Sequence, residues 1–89
     1  MKPILIEKEE VIQLSFKNKS DREINQEIIK KLEEATFLGN SIHHKVHIVF
    51  EDDECLKEIH TTIWATGTRF ICIKGGMWIP IDRIIDVKI

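Results

Sequence analysis

Residues 46–89 form a series of short runs rich in β-branched and aromatic residues, separated by turns that contain glycine or acidic residues. Runs of this kind joined by two-residue glycine turns indicate β-hairpins, because glycine adopts the positive φ angles that tight turns need. The stretch therefore predicts a small antiparallel β unit, to which the rest of the chain is attached. The predicted strands have the sequences VHIVF, CLKEIHTTIWAT, RFICIK, MWIPI and RIIDVKI.

Residues 20–38 have the pattern of an amphipathic helix. Ser20 and Glu23 are spaced as in a capping box, in which each side chain accepts a hydrogen bond from the backbone at the start of the helix. Gly39 and Asn40 favour a helix end, since both residue types tolerate left-handed backbone. Between these signals the apolar residues recur at three- and four-residue spacing, which gives the helix one apolar face: Ile24, Ile28, Leu32 and Ala35.

The first 19 residues are less regular. Ile4 to Ile6 predict a short strand or an ordered arm. In residues 11–16 the apolar side chains partly alternate as in a strand, whereas Glu9, Glu10 and Gln13 suit a helix equally well. Both interpretations stay open, and we favour a strand over 11–16.

A chain of 89 residues builds a single domain with one modest core. The expected organisation is an N-terminal arm or strand over 1–19, a helix over 20–38 and a β unit over 43–89, so the fold class is α+β and mainly β. The formal net charge of −2 comes from 13 basic and 15 acidic residues with no basic stripe. That balance does not favour nucleic acid as a partner.

The N-terminal sequence MKPILIEKEE becomes acidic after three apolar residues, which is unlike a signal peptide. No apolar stretch has the length needed to cross a bilayer. Two cysteines are too few for a disulfide framework. We therefore expect a cytoplasmic protein that does not associate with a membrane.

Alternation along the predicted strands sorts their side chains into two faces. One face is an ordinary core, which consists of Val46, Ile48, Phe50, Ile59, Thr61, Ile63, Ala65, Ile71, Ile73, Met77, Ile79 and Ile81. The other face is too apolar to be left wholly in water, so the helix or a second subunit should cover part of it. Its apolar members are Val49, Trp64, Phe70, Cys72 and Trp78.

Four or five short strands, tight turns and the segment IPIDRIIDV resemble a small SH3-like barrel. The preceding helix and the long second strand are most similar to the Sm-like variant. This resemblance implies an N-terminal helix followed by an antiparallel five-stranded barrel, in which Asp82 and Arg83 form the turn before a last strand over 83–89. It also implies binding as the function, with closed rings among the known assemblies.

A second resemblance lies upstream. The segment VIQLSFKNKSDREI is similar to the first two helices of a LuxR-type helix-turn-helix. Such a protein would continue into a basic recognition helix that enters the major groove of DNA. Here the predicted helix is instead followed by strands.

Four histidines raise the question of a metal site. On a strand His43 and His47 would share a face about 13 Å apart, from a rise of about 3.3 Å per residue, which is too far to hold one ion. The acidic run EDDE predicts a solvated turn, and no arrangement typical of a nucleophilic enzyme is present. We therefore expect no catalytic residue, no metal and no cofactor. The two remaining histidines are His44 and His60.

Binding is therefore the predicted activity. Trp64, Phe70 and Trp78 are the candidate interface or ligand surface, together with the basic residues Arg69, Lys74 and Arg83. Aromatic residues are enriched at protein interfaces, so we expect a homo-oligomer, with a dimer favoured, and a protein partner. The alternative is a single-stranded RNA or DNA binder that stacks bases on the aromatic rings.

Overall fold

Two β-sheets and one α-helix make up the part of the chain that the computed structural model describes, residues 2–17 and 24–89. The helix, α1, spans Gln26–Ile42 and precedes all but the first of the strands. The α+β, mainly β class is therefore confirmed. The strands are β1 (Ile4–Leu5), β2 (Val46–Glu51), β3 (Leu56–Thr61), β4 (Ile63–Thr66), β5 (Phe70–Ile73), β6 (Trp78–Pro80) and β7 (Ile84–Lys88).

The first sheet has the strand order β1-β3-β2-β7. Strands β2 and β3 form an antiparallel hairpin whose register pairs Ile48 with Ile59, and β7 lies antiparallel on the other side of β2. The N-terminal β1 adds to β3 in parallel, with Ile4 opposite Lys57. The expected short N-terminal strand is thus present, and it forms one edge of this sheet.

The second sheet has the order β4-β5-β6 and begins where the long predicted second strand breaks. Thr62 separates β3 from β4, and its carbonyl accepts a hydrogen bond from the Lys74 N–H at 2.9 Å. The expected five-stranded barrel is therefore corrected. In the described ranges there are seven strands in two separate sheets, because Thr62 divides one predicted strand and β1 adds another, and they do not close into a barrel.

The core lies between the inward faces of the two sheets and α1. Alternation identified these inward positions well, since almost all of the predicted core residues are fully buried. The exceptions are Met77, which is partly buried, and Ala65, which is exposed. The register shifts between Ile63 and Ala65, and such a bulge inserts one extra residue, so strict alternation fails after it. Fully buried side chains of the strands include Val46, Ile48, Phe50, Ile59, Ile63, Ile71, Ile73 and Ile79.

Helix α1 begins and ends later than residues 20–38. Asn25 is its N-cap, and the side chain of Asn25 accepts a hydrogen bond from the Glu27 N–H at 2.8 Å. The predicted start at Ser20, with its capping box to Glu23, lies outside the described residues. At the other end the helix continues to Ile42, and His43 closes it in the left-handed conformation with φ of 56°.

Gly39 is therefore not the helix stop that the sequence indicated. It lies inside α1, and it is buried because the helix crosses β4 at this point. A Cβ at position 39 would lie 2.6 Å from the Ile63 carbonyl oxygen and 2.8 Å from Thr62 Cγ2. Glycine is needed here for a close approach of helix and strand. The apolar face that packs on the sheets includes the fully buried Leu32 and Ala35, whereas Ile24 precedes the helix and is 38% exposed.

The expected strand over 11–16 is wrong. Residues Lys8–Gln13 form a 3-10 helix that Glu7 caps, and Glu10 accepts a hydrogen bond from the Glu7 N–H at 2.8 Å. Val11 is the buried residue of this helix and packs into the core. The helical alternative for this segment is therefore nearer to the structure.

No helix of the described residues is long and apolar enough to cross a membrane.

Replacement of Gly39 by alanine should destabilise the protein although alanine is the better helix former. The added methyl group meets a backbone carbonyl that cannot move aside, and overpacking of this kind costs about 1–3 kcal/mol. Glu33→Ala, at an exposed position of the same helix, is the matched control and should change stability little. Urea titration of both variants measures the difference, and a Gly39→Ala variant as stable as the parent would contradict the close approach.

Candidate interaction surface

The two faces of the second sheet differ in exposure. The isoleucines of β5 and β6 point into the core and are fully buried. Their neighbours Phe70 and Trp78 point away from the core, with 45% and 57% of their surfaces exposed. Cys72, the cross-strand partner of Trp78, is half-buried between them. Two of the three predicted aromatic residues thus lie on the outward face of adjacent strands.

Trp64 reaches the same outward side from β4. It follows the buried Ile63 at the bulge and is 45% exposed. The side-chain amide of Asn40 on α1 donates a hydrogen bond to the Trp64 carbonyl at 3.2 Å, which fixes the backbone there. We refer to Trp64, Phe70 and Trp78 together as the aromatic face.

Two of the three predicted cations are exposed beside the aromatic face. Arg69 and Lys74 flank β5 at its two ends, and only their backbones are engaged: the Arg69 carbonyl accepts a hydrogen bond from Ile81 at 2.8 Å, and Lys74 donates to Thr62. Within the described part of the chain, neither side chain has a hydrogen bond or an ion pair. Both positive charges are therefore available to a ligand or partner.

The placement of Arg83 corrects the expectation of an exposed cation. Only 7% of its surface is exposed. Its guanidinium donates to the Asp53 carboxylate at 3.0 Å and to the Glu51 carbonyl at 3.1 Å, and it lies over the Phe16 ring, 5.9 Å from the centroid. The Asp53 carboxylate, in the turn after β2, thus holds the Arg83 side chain in a buried position and compensates its positive charge.

The acidic turn after β2 is also not simply solvated. The Asp52 carboxylate accepts hydrogen bonds from Lys57 at 2.8 Å and from the N–H groups of Glu54 and Cys55, each at 2.9 Å. Burial raises the pKa of Asp52, but these hydrogen bonds outweigh burial and the pKa is lowered. The carboxylates of Asp52 and Asp53 in this turn therefore stabilise the fold.

A groove runs beside β6, between that strand and the N-terminal segment. It consists of two neighbouring depressions of about 490 and 380 Å³ that share Phe16 and Trp78. The larger one is also lined by Lys17, Arg69 and Phe70, and by Ile24, Pro80, Asp82 and Arg83. The smaller one is lined mainly by apolar side chains, among them Val11, Ile12, Leu14 and Met77.

Sequence reasoning did not find Phe16, Lys17 or Ile24 as part of a surface. Their contribution depends on the N-terminal segment folding back over the end of the β unit, which no local pattern predicts. The one usable signal was an apolar segment that ends in Phe16 directly before a polar connector. Phe70, Trp78 and Arg69 were identified correctly as neighbours, since they line the same depression.

The histidines are arranged differently from a metal site. His47 and His60 are cross-strand partners whose rings stack with centroids 4.1 Å apart, and His47 Nδ1 lies 3.1 Å from Glu58 Oε2. His43 closes α1 instead of pairing with His47 on one strand. Among the residues that the structure describes, no three His, Cys, Asp or Glu side chains are placed to share a metal ion.

Comparison of the chain with family models, with curated protein sequences and with solved structures finds no match. The surface must therefore be interpreted from its own chemistry. It offers half-exposed aromatic rings, two uncompensated cations and an apolar groove.

Acidification from pH 7.5 to 5.5 should lower the free energy of unfolding through His60. Partial burial lowers the pKa of His60, and the nearby His47 and Lys45 lower it further. The folded state thus disfavours the protonated form, so this stabilisation is complete above the unfolded pKa of about 6.5 and is lost as pH falls through the folded value. Urea titrations at both pH values should show a smaller loss for His60→Gln, and an unchanged loss would rule out this origin.

Proposed function

We propose that this chain is a small non-enzymatic cytoplasmic interaction protein, which binds a second copy of itself through the aromatic face and thereby presents a surface to a protein partner. The observation that carries the proposal is the exposure of Trp64, Phe70 and Trp78 on one side of a three-stranded sheet. These are three of the six aromatic residues in the chain, four Phe and two Trp. Phe37 on α1 is 70% exposed as well, so four of the six aromatic side chains are exposed and three of them lie on this sheet.

Two physical considerations support a second copy as the occupant. A chain of 89 residues buries a smaller fraction of its surface on folding than a larger domain does, so association adds stability that its own core does not supply. The net charge of −2 causes little repulsion between copies. A two-fold dimer is the commonest closed assembly and places the same patch on both sides of the contact.

The proposal includes an SH3-like or Sm-like arrangement of the strands. Three features support this arrangement: α1 comes before the β2–β3 hairpin, β3 and β4 follow one another through a single residue, and a 3-10 turn over Ile81–Arg83 precedes β7. The helix-turn-helix alternative has less support, because α1 is followed by β2 and not by a further helix.

Trp64→Glu should dissociate the assembly while the fold is retained. The substitution places a charge in the proposed contact, and it leaves the core intact because Trp64 is 45% exposed. Light scattering across a wide concentration range should give the mass of a dimer or a larger closed oligomer for the parent chain and of a monomer for the variant. Circular dichroism should be unchanged.

Leu5→Glu is the matched control. Leu5 is 67% exposed and lies on β1 in the other sheet, so the same charge at this position should leave the assembly intact. A parent chain that stays monomeric at high micromolar concentration would refute self-association. An assembly that survives Trp64→Glu would place the contact elsewhere.

One observation favours a second candidate, binding of single-stranded nucleic acid. Phe70 and Trp78 line the same depression as Arg69 and Lys17, which combines stacking surfaces with positive charge. Fluorescence anisotropy with a labelled single-stranded oligonucleotide tests it. Binding that weakens steeply with salt and is lost in Phe70→Ala would support this candidate, and no binding at low salt would eliminate it.

A further inference from the structure

Strand β6 has an open edge. Among the described residues it pairs only with β5, in a register that places Ile71 opposite Ile79 and Cys72 opposite Trp78. Hydrogen bonds join Ile73 to Met77 at 2.9 Å, and Ile81 to Arg69 at 2.8 Å, on either side of these pairs. Hydrogen-bonded and non-hydrogen-bonded pairs alternate along an antiparallel ladder. The N–H and C=O of Trp78 therefore point away from β5, towards the open edge.

Pro80 supports this assignment. It lies two residues after Trp78, so its backbone has the same orientation. Proline has no N–H to donate, and within sheets it is tolerated where the missing donor would face the outside. The Pro80 carbonyl accepts the Arg83 N–H at the start of the 3-10 turn over Ile81–Arg83. The open edge thus presents one donor and one acceptor, the N–H and the C=O of Trp78, and no hydrogen bond of the described residues uses them.

The groove lies alongside this open edge. Its two depressions meet at Trp78 and Phe16, and its lining is apolar over most of its length, from Val11 and Leu14 to Pro80. A strand that paired with β6 would lay alternate side chains into this groove. Unpaired strand edges next to apolar pockets are the sites where extended peptides add to a sheet.

The charges around the groove select for an acidic occupant. Arg69 and Lys17 line the larger depression, and within the described residues their side chains are not paired. Arg83 lines it too, but its charge is taken up by Asp53. At the other end Lys8 is paired with Glu9 at 2.8 Å. Asp82 supplies one negative charge, so the described lining residues of the larger depression carry an excess of positive charge.

We propose that the open edge of β6 binds an extended segment of a partner protein that carries acidic residues next to large apolar side chains. This proposal rests on the proposed function and specifies its protein partner. The partner residue opposite Trp78 exchanges two hydrogen bonds with it, and the neighbouring apolar side chains of the partner segment enter the groove. A strand added at an edge lies in the plane of the sheet, whereas a second copy packs on the aromatic face. The two sites share Phe70 and Trp78, and Trp64 belongs to the aromatic face without lining the groove.

The first test uses a pool of fluorescein-labelled octapeptides in which Val, Ile, Leu or Phe alternates with Asp or Glu. The full chain should bind members of the acidic pool, as measured by anisotropy, and should bind a pool with Lys and Arg in place of Asp and Glu at least about tenfold more weakly. The tightest member is then N-methylated one amide at a time. Strand pairing predicts a loss of about tenfold or more at the amide that donates to the Trp78 carbonyl and small changes at its two neighbours, because their N–H groups face away from β6.

The second test changes the protein. Trp78→Ala removes the indole but keeps the N–H, whereas Trp78→Pro removes both, so the proline variant should bind at least about tenfold more weakly than the alanine variant. Charge reversal in a Lys17→Glu/Arg69→Glu variant should weaken the acidic peptides. Lys74→Glu is the matched control, since Lys74 carries the same charge outside the lining of the groove.

The outcomes separate this proposal from self-association. If Trp64→Glu makes the chain monomeric and peptide binding persists, both proposals stand independently. If no member of either pool binds more tightly than about 1 mM, or no single N-methylation weakens binding by about tenfold, the edge site is wrong whatever the assembly does. If Trp78→Pro dissociates the oligomer while Trp78→Ala does not, the edge is occupied by a second copy, which overturns the partner assignment.

Discussion

The candidate surface depends on the hydrogen bonds that the Asp53 carboxylate accepts. This carboxylate accepts hydrogen bonds from the Ser15 hydroxyl at 2.6 Å, from the Lys17 N–H at 3.0 Å and from the Arg83 guanidinium at 3.0 Å, while the Asp53 N–H donates to the Ser15 carbonyl at 2.9 Å. The turn after β2 therefore connects the N-terminal segment to Arg83, the residue directly before β7. Phe16 is held between these contacts, with its ring 6.0 Å from that of Phe50. Without these hydrogen bonds the groove beside β6 would lose one wall, because they hold the backbone on both sides of Phe16, which lines both depressions.

The parts of the fold that follow from local chemistry were predictable. Side-chain alternation identified the inward faces of the strands, and the glycine-containing turns located the hairpins. Gly75 and Gly76 have φ angles of 100° and 86°, as such a turn requires. Where the sequence misled, a tertiary contact had overridden a local preference. Glycine is a residue type that commonly ends a helix, yet Gly39 lies inside α1, where it allows a close approach to Ile63. The helix ends only at His43.

The candidate surface was predictable where it follows from side-chain alternation, and not where it depends on tertiary contacts. Side-chain alternation assigns the aromatic residues Phe70 and Trp78 to outward positions. The bulge next to Trp64 does not change the outward position that alternation assigns to this residue. Arg83 was assigned to the surface because its charge suggested solvent, whereas its actual position depends on a carboxylate 30 residues away in sequence. Contacts over such separations leave no periodic signal. The groove was missed for this reason, since both of its walls come from segments that are distant in the chain.

Pro80 has a consequence for the behaviour of the protein at high concentration. An open strand edge is a template on which copies can stack without limit, and long, flat, apolar edges are the starting points of fibrils. Here the strand is three residues long, and a proline interrupts its row of donors. Such an edge has too few donors to extend a continuous ladder from molecule to molecule. The missing N–H of one proline therefore works against fibril growth from this edge.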